Sequence, residues 1–483
     1  MDPTTPSTGT SRQKPATPAT GDELKNVSVA PHSQGAIPTQ DDLSRRVTQQ
    51  RAFEAAVWGM PAVNYQLMYE EMVRKVKGGF NQVLYWSRLL DWKNQTLTPN
   101  PDSIYFMSFW NVKDGPIVID VPPAQGGSIA GNIVTAWQMP LEDAGPEGAD
   151  KGQGGKYLIL PPGYDGEVPA GMIALHSDTL SGFALLRSSL AGHGDSDVAK
   201  SVAYGKQIKV YPLSQAADPP PTNFSDAYDV LFDSTIPYDA SFYRNLDRVV
   251  QNEPWIDRDR AMIDQLKTLG IEKGKIFNPD QRTEAILDTA AREAHALLAQ
   301  RYDAGFPVIN AGIRWFPAAM PEMVKAAQSG YADPNAYPLD VRGVTYTLGF
   351  TGIKRIGTAQ FYLMANKDKG GQDFDGAASY RLSVPASAPV KQYWSVTVYD
   401  RETHALIRNM PSASRASISS GIQKNADGSV DVYFGPKAPD GKQANWVPTD
   451  PARKFELLFR LYGPEKDFFE KKWVLPDVEK AAP

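Results

Sequence analysis

From Tyr380 to Trp473 the chain carries YRLSVPASAPVKQYWSVTVYDRET, NADGSVDVYFG, ANWVP and KFELLFRLYGP, short alternating runs separated by Asp-Gly, Asn and Pro. Alternation with a period of two puts successive side chains on opposite faces of a sheet, and the residues between the runs are turn formers. The stretch predicts an antiparallel β-sandwich over 341–483, jelly-roll-like in outline. It constrains the architecture strongly and the chemistry weakly, because no familiar catalytic motif interrupts the strands.

The same signature occurs earlier. SIYFMSFWNV, GPIVIDVPP, GNIVTAWQM, GKYLILPPG and GMIALHS are strand-like and are set apart by Asp114-Gly115, Gly126-Gly127 and Asp165-Gly166. They predict a first β-sandwich over 95–221, with a short helix near Asp195–Tyr204. Pro219, Pro220 and Pro221 then make a stiff connector. Beyond them the period lengthens in ASFYRNLDRVVQ, DRDRAMIDQLKTLG and PDQRTEAILDTAAREAHALLAQRY, a helical middle region over 222–340. Upstream, over 41–94, Leu43, Val47, Phe53, Ala56 and Val57 recur at helical spacing, with Asp41 or Asp42 as N-cap. Gly59 and Pro61 are expected to split this stretch into two helices. The Pro/Thr/Ser-rich residues 1–40 are expected to be a disordered tail. The fold class expected is therefore mostly β with a helical insertion.

Composition removes several function classes. The 483 residues carry a net charge of −5 and no Lys/Arg block, which argues against a nucleic-acid partner. With no cysteine there is no disulfide framework, thiolate metal site or thiol nucleophile. No run of eighteen apolar residues offers a membrane span. MDPTTPSTGTSRQKPATPATG has no apolar core of the signal-peptide kind. It reads either as a cytoplasmic tail or as the mature start of an exported protein.

AFEAAVWGMPAVNYQLMYEEM, TLTPNPDSIYFMSFWNVKDGPIVIDVPP and GGKYLILPPGYDGEVPAGM, together with the C-terminal runs quoted above, resemble the bacterial two-part family of domains of unknown function 1254 and 1214. The resemblance covers about residues 45–478. It implies an Ig-like sandwich, a helical segment and a jelly-roll-like sandwich. It brings no assigned reaction and no catalytic residues. Many relatives look exported, so it implies a periplasmic or secreted protein, with a cytoplasmic one as the alternative.

Candidate site residues come from the chain itself. In Thr98-Pro99-Asn100-Pro101-Asp102-Ser103-Ile104-Tyr105 two prolines fix the backbone around polar side chains. Asn100 and Tyr105 would line a cleft and Asp102 would act as acid/base, or the Asn and Asp would only satisfy turn amides. On the strand Tyr393–Tyr399, Tyr393, Ser395, Thr397 and Tyr399 share a hydroxyl-rich face, either a ligand cleft or a solvated surface. Arg460 lies within the apolar run FELLFRLY, to be paired with Glu456 or Asp400 or to clamp an anion, and Arg381 and Arg187 pose the same choice. His176 is a second acid/base candidate at a strand end, and Trp446 a ring-stacking one. No histidine spacing argues for zinc, and no metal or cofactor is expected. Two functions are compatible with these residues. One is a hydrolase or lyase acting on a small or oligomeric organic substrate in a cleft between the sandwiches. The other is a non-catalytic protein binding a saccharide-like or other small ligand. A homo-oligomer is compatible with either.

Overall fold

The computed structural model describes residues 38–349, 354–355 and 359–481. The expected tail over 1–40 lies almost wholly outside them. By internal contacts the chain divides into 1–45 and 46–483. The first helix begins in the first unit, and every other described element lies in the second.

Helix α1 (Gln40–Glu71) is continuous, with Pro61 inside it. The expected break at Gly59 and Pro61 does not occur. Proline removes its own N–H, and with it the bond to the carbonyl four residues back, and side chains from elsewhere bond other carbonyls of the same turn. Gln138 Nε2 donates to Pro61 O at 2.9 Å and Arg342 Nη1 lies 3.5 Å from Trp58 O. Gly59 lets the helix approach Leu246, where a Cβ would meet the Leu246 side chain at 3.0 Å. The N-terminal cap is Thr39, whose Oγ1 accepts from Asp42 N at 3.1 Å, rather than Asp41 or Asp42.

The first β-region comprises β1 (Val83–Tyr85), β2 (Asn94–Gln95), β3 (Ile104–Asn111), β4 (Ile117–Val121), β5 (Ile129–Thr135), β6 (Pro140–Ala144), β7 (Gly155–Leu160), β8 (Met172–His176), β9 (Ser181–Ser188), α2 (Asp195–Gly205), β10 (Lys209–Pro212), β11 (Phe224–Asp226) and β12 (Phe232–Asp233). Six strands pair in the order β11-β1-β3-β9-β5-β6 and four as β10-β4-β7-β8. Ile104, Phe106 and Trp110 from β3 share one core with Ile117, Ile119, Tyr157 and Ile159 of the second sheet. The alternate residues Tyr105, Met107 and Phe109 pack with Tyr65, Met68 and Met72 of α1 and the turn after it. Strand β3 is thus buried on both faces, which is why SIYFMSFW lacks a clean alternation. Strands β7 and β8 run parallel, unlike a hairpin. The connection Pro161–Gly171 is long enough to return the chain to the same end of the sheet.

The helical region holds α3 (Ala240–Asn252), α4 (Arg260–Leu266), α5 (Gln281–Ala304), α6 (Pro321–Gln328) and α7 (Leu339–Leu348), with β13 (Phe316–Pro317) between α5 and α6. The second β-region has β14 (Gln360–Ala365), β15 (Phe374–Asp375), β16 (Tyr380–Val384), β17 (Trp394–Asp400), β18 (Ser414–Ala416), β19 (Val430–Gly435), β20 (Trp446–Pro448), β21 (Lys454–Tyr462), α8 (Lys466–Phe469) and β22 (Glu479–Lys480). One sheet runs β13-β14-β21-β17-β18, with β15 also on β21, and the other β20-β19-β16-β22. Phe455, Leu457, Phe459 and Leu461 face the core between these sheets, with Leu382 and Val432 opposite. β19 and β20 pair in parallel, so this region too is mixed rather than purely antiparallel. The mostly β architecture with a helical region stands. The helices cover the outer face of the β21 sheet, where Leu458, Met364 and Tyr399 join the core of α1, α3, α5 and α7.

One carboxylate ties the helical region to the first β-region. Glu253, at the C-cap of α3, accepts from Leu180 N at 2.6 Å and from Ser181 Oγ. Burial pushes its pKa up to about 7 against these lowering hydrogen bonds and the charge of Lys273. The folded protein therefore holds this proton more tightly than the unfolded chain does. The extra stability is full below an ordinary glutamate pKa and is lost as pH rises to about 7. Between those limits Glu253→Gln is expected to flatten the pH dependence of the unfolding free energy by about 3–4 kcal/mol, since each pKa unit is worth about 1.4 kcal/mol. Urea unfolding of both proteins across pH 4–8 checks this; parallel curves would place the proton elsewhere.

Candidate functional site at the seam of the two β-regions

The loop between β2 and β3 has few backbone partners of its own. Thr98 has φ 38°, and its N–H donates to His404 O at 2.7 Å. Asp102 N donates to Asn100 Oδ1 at 3.0 Å, an Asx turn, and Asn100 N to Tyr105 OH at 2.8 Å. The loop carbonyls point to the second β-region. Tyr393 OH donates to Asp102 O at 2.7 Å, and Tyr399 OH to Pro99 O at 2.6 Å. Arg460 Nη2 donates to Thr98 O at 3.0 Å, and Tyr462 OH to Asn100 Oδ1 at 2.9 Å. A buried irregular segment must find such partners for its backbone.

This explains the hydroxyl-rich face of β17. Ser395, Thr397 and Tyr399 are all at 0% exposure, so the face is neither solvated nor bare. Thr397 Oγ1 accepts from Arg460 Nη1 at 2.8 Å. Arg460 pairs with neither expected acid: Asp400 goes to Arg453, and Glu456 to His404 and Tyr302.

Beside the loop a cleft of about 180 Å³ opens between the two β-regions, lined among others by Ser103, Asn132, Asp143, Arg187, Tyr393 and Tyr462. Beneath it lies a smaller chamber of about 40 Å³ reached by Asn100, Tyr105, Leu458 and Arg460. Arg187 and Tyr362 line both spaces. Arg187 stands opposite Tyr105 in the β3–β9 ladder, its guanidinium 5.2 Å from the Tyr105 ring centre. Tyr393 and Tyr462 stack with centroids 4.0 Å apart, giving the cleft a flat aromatic wall.

Asp102 stands just behind that wall. Its Oδ1 accepts from Ser414 Oγ at 2.8 Å and lies 3.7 Å from His193 Nε2, and the His193 ring meets the Tyr393 ring edge-on. In the wall itself, burial raises the Asp143 carboxyl, although Asn132, Lys354 N and Arg355 N all donate to it. Its neighbour Glu142 is held low in spite of burial by a two-point bond to Arg355 at 2.7 and 3.0 Å. Burial also raises the Tyr393 and Tyr462 hydroxyls, so both remain neutral donors. Among the described residues no group of three or more His, Asp or Glu side chains is placed to hold a metal ion.

Of the residues singled out from the sequence, Asn100, Asp102, Tyr105, Arg187, Tyr393, Thr397, Tyr399 and Arg460 meet at this seam. Three do not. His176 is exposed at the end of β8. Arg381 is exposed and lies 3.5 Å from Glu479. Trp446 is half-buried and donates its indole N–H to Gly435 O at 2.8 Å. His193, Asp143 and Tyr362 were not legible. His193 lies in the glycine loop AGHGD with no period to mark it, and Asp143 in a β6 strand whose sequence, PLED, reads as a turn.

Residues 80–212 match the family model described as protein of unknown function DUF1254, and residues 359–466 the one described as protein of unknown function DUF1214. No protein with a curated description matches the chain. Among solved structures it is similar to the VPA0106 protein from Vibrio parahaemolyticus, at 18% identity and a TM-score of 0.57, over 90% of this chain and 100% of that one. That likeness is one of fold. An uncharacterised protein from Burkholderia cenocepacia aligns at 12% identity and a TM-score of 0.40, over 91% of this chain and 96% of that one.

Proposed function

We propose, for a chain that belongs to the two-part family of DUF1254 and DUF1214 proteins, that the cleft at its seam binds a small organic molecule. The observation that carries this reading is a gathering of buried polar atoms without partners among the described residues. Asn100 Nδ2, Ser103 Oγ, Arg187 Nε, Ser188 Oγ and Arg460 Nε all belong to residues lining the cleft or the chamber beneath it. Each such atom costs about 1–3 kcal/mol if left unmatched, and a polar ligand matches several at once. The stacked Tyr393 and Tyr462 add a face suited to a flat or cyclic ligand body, a sugar ring included.

A second reading, hydrolase or lyase chemistry at the same cleft, is favoured by Asp143. Its raised carboxyl lines the cleft, as a general acid or base needs. Asp102, with His193 beside it, then orients Tyr393 from behind.

Soaking crystals with a library of neutral cyclic fragments tests the binding reading. Density against Tyr393 and Tyr462 is expected; an empty cleft across the library would overturn it. Should a turnover assay be found, Asp143→Asn is expected to lower activity about 10²–10⁴-fold, far beyond the stability of about 1–3 kcal/mol lost where its amide faces one of the three donors. Unchanged activity would leave the cleft as a binding site only.

A further inference from the structure

We propose that the ligand bound at the seam carries a carboxylate, seated in the inner chamber between Arg187 and Arg460; this rests on the seam cleft being a small-molecule site. The first support is charge. Arg460 is 1% exposed, and its hydrogen-bond partners are all neutral: Thr397 Oγ1, Tyr399 OH and the carbonyls of Thr98 and Pro99. Arg187 has the Tyr105 ring beneath it and, among the described residues, no ion-pair partner. A charge as buried as that of Arg460 without an opposite one is strongly unfavourable, and the half-buried Arg187 bears part of that cost. The tyrosines cannot serve as the missing anions, because burial holds the Tyr399 and Tyr462 hydroxyls protonated.

The second support is polarity. The unmatched side-chain atoms of residues lining the chamber are Asn100 Nδ2, Arg187 Nε and Arg460 Nε, and all three are donors. The orientation of the Asn100 amide is set, because its Oδ1 already accepts from Asp102 N and Tyr462 OH. Unmatched atoms that are all donors call for a group that only accepts, and an ionised carboxylate is that group. Two guanidinium forks match its two oxygens.

The third support is size. At roughly 10–15 Å³ for each water-sized group, a chamber of about 40 Å³ takes about three non-hydrogen atoms. A carboxylate has three; a phosphate has five. The rest of the ligand would pass Arg187 and Tyr362 into the outer cleft.

The test uses formate, which is the head group alone, and formamide, its neutral isostere. Crystals grown without carboxylate or halide salts are soaked in each and, separately, in bromide, and thermal midpoints are followed over the same titrations. Formate is expected in the chamber, within hydrogen-bond reach of Arg187 and Arg460, with at least about tenfold preference over formamide. Arg187→Met, which keeps the stem but not the charge, is expected to abolish that preference. The comparison in the parent protein needs no variant, so a misfolded one would not spoil it. Equal uptake of formamide, water alone after both soaks, or bromide bound where formate is excluded would each overturn the carboxylate. The neutral-fragment soaks judge the outer cleft separately, so this inference can fall while the binding reading stands.

Discussion

Replacing Trp394 by alanine is expected to lower the unfolding free energy by about 3–5 kcal/mol, as truncations of large buried aromatics do. The side chain is 5% exposed, stacks on Phe459 at 5.5 Å and sits in the core between the two C-terminal sheets. Its position follows from the strand period alone, since Trp394, Val396 and Val398 take one face of β17 and all three lie in that core. The measurement is urea unfolding. The midpoint should fall with an unchanged denaturant slope, because the loss is of packing rather than of the surface exposed on unfolding. A curve that overlays the parent would mean that the core tolerates the cavity by collapse and that Trp394 does not pin the two sheets together.

The same arithmetic stops at the other face of that strand. A period of two places Ser395, Thr397 and Tyr399 together, but it cannot say what covers them. The cover is the loop around Pro99, about 300 residues away in sequence, whose carbonyls need the donors that Tyr399 and Arg460 supply. Long-range covers of this kind leave no local periodicity. Pro61 shows the converse. Locally it reads as a helix stop, yet Gln138 and Arg342, from two other parts of the chain, meet the backbone groups around it and α1 continues. The histidines divide for a similar reason. His176 and His193 both sit at element ends, and only the packing of α2 and its leading loop brings one of them to Asp102. What the sequence carried was local: strand period, turn residues, the rigid Pro-Asn-Pro-Asp loop and the anomaly of an arginine in an apolar run. What it could not carry was which of these surfaces meet.

Glu456→Ala is expected to be as costly as Trp394→Ala, about 3–5 kcal/mol, for an electrostatic reason. Glu456 is at 0% exposure on the seam face of β21. Its Oε1 lies 2.7 Å from His404 Nδ1, its Oε2 accepts from Tyr302 OH at 2.8 Å, and Arg401 Nη1 is 3.7 Å away. One carboxylate thus joins helix α5, the turn after β17 and strand β21. Removing it leaves a mostly buried guanidinium, a buried imidazole and a buried phenol short of their shared acceptor. Glu456→Gln keeps one acceptor and the shape, so it should cost less, about 1–3 kcal/mol. The cost of Glu456→Gln against the parent reports the charge, and the further cost of Glu456→Ala reports the packing and the remaining acceptor. The consequence reaches the cleft, because His404 also offers its carbonyl to Thr98 N, and the Thr98 carbonyl is one of the groups that hold Arg460. A ligand seated on Arg460 should therefore bind more weakly to Glu456→Gln than its loss of stability alone would suggest, with the parent's preference for formate over formamide reduced. Unfolding curves and formate titrations on the two variants measure both effects. If Glu456→Ala unfolds within about 1 kcal/mol of the parent, the cluster is not what anchors the seam loop, and its rigidity must come from the donors of Tyr393, Tyr399, Arg460 and Tyr462 together with Pro99 and Pro101.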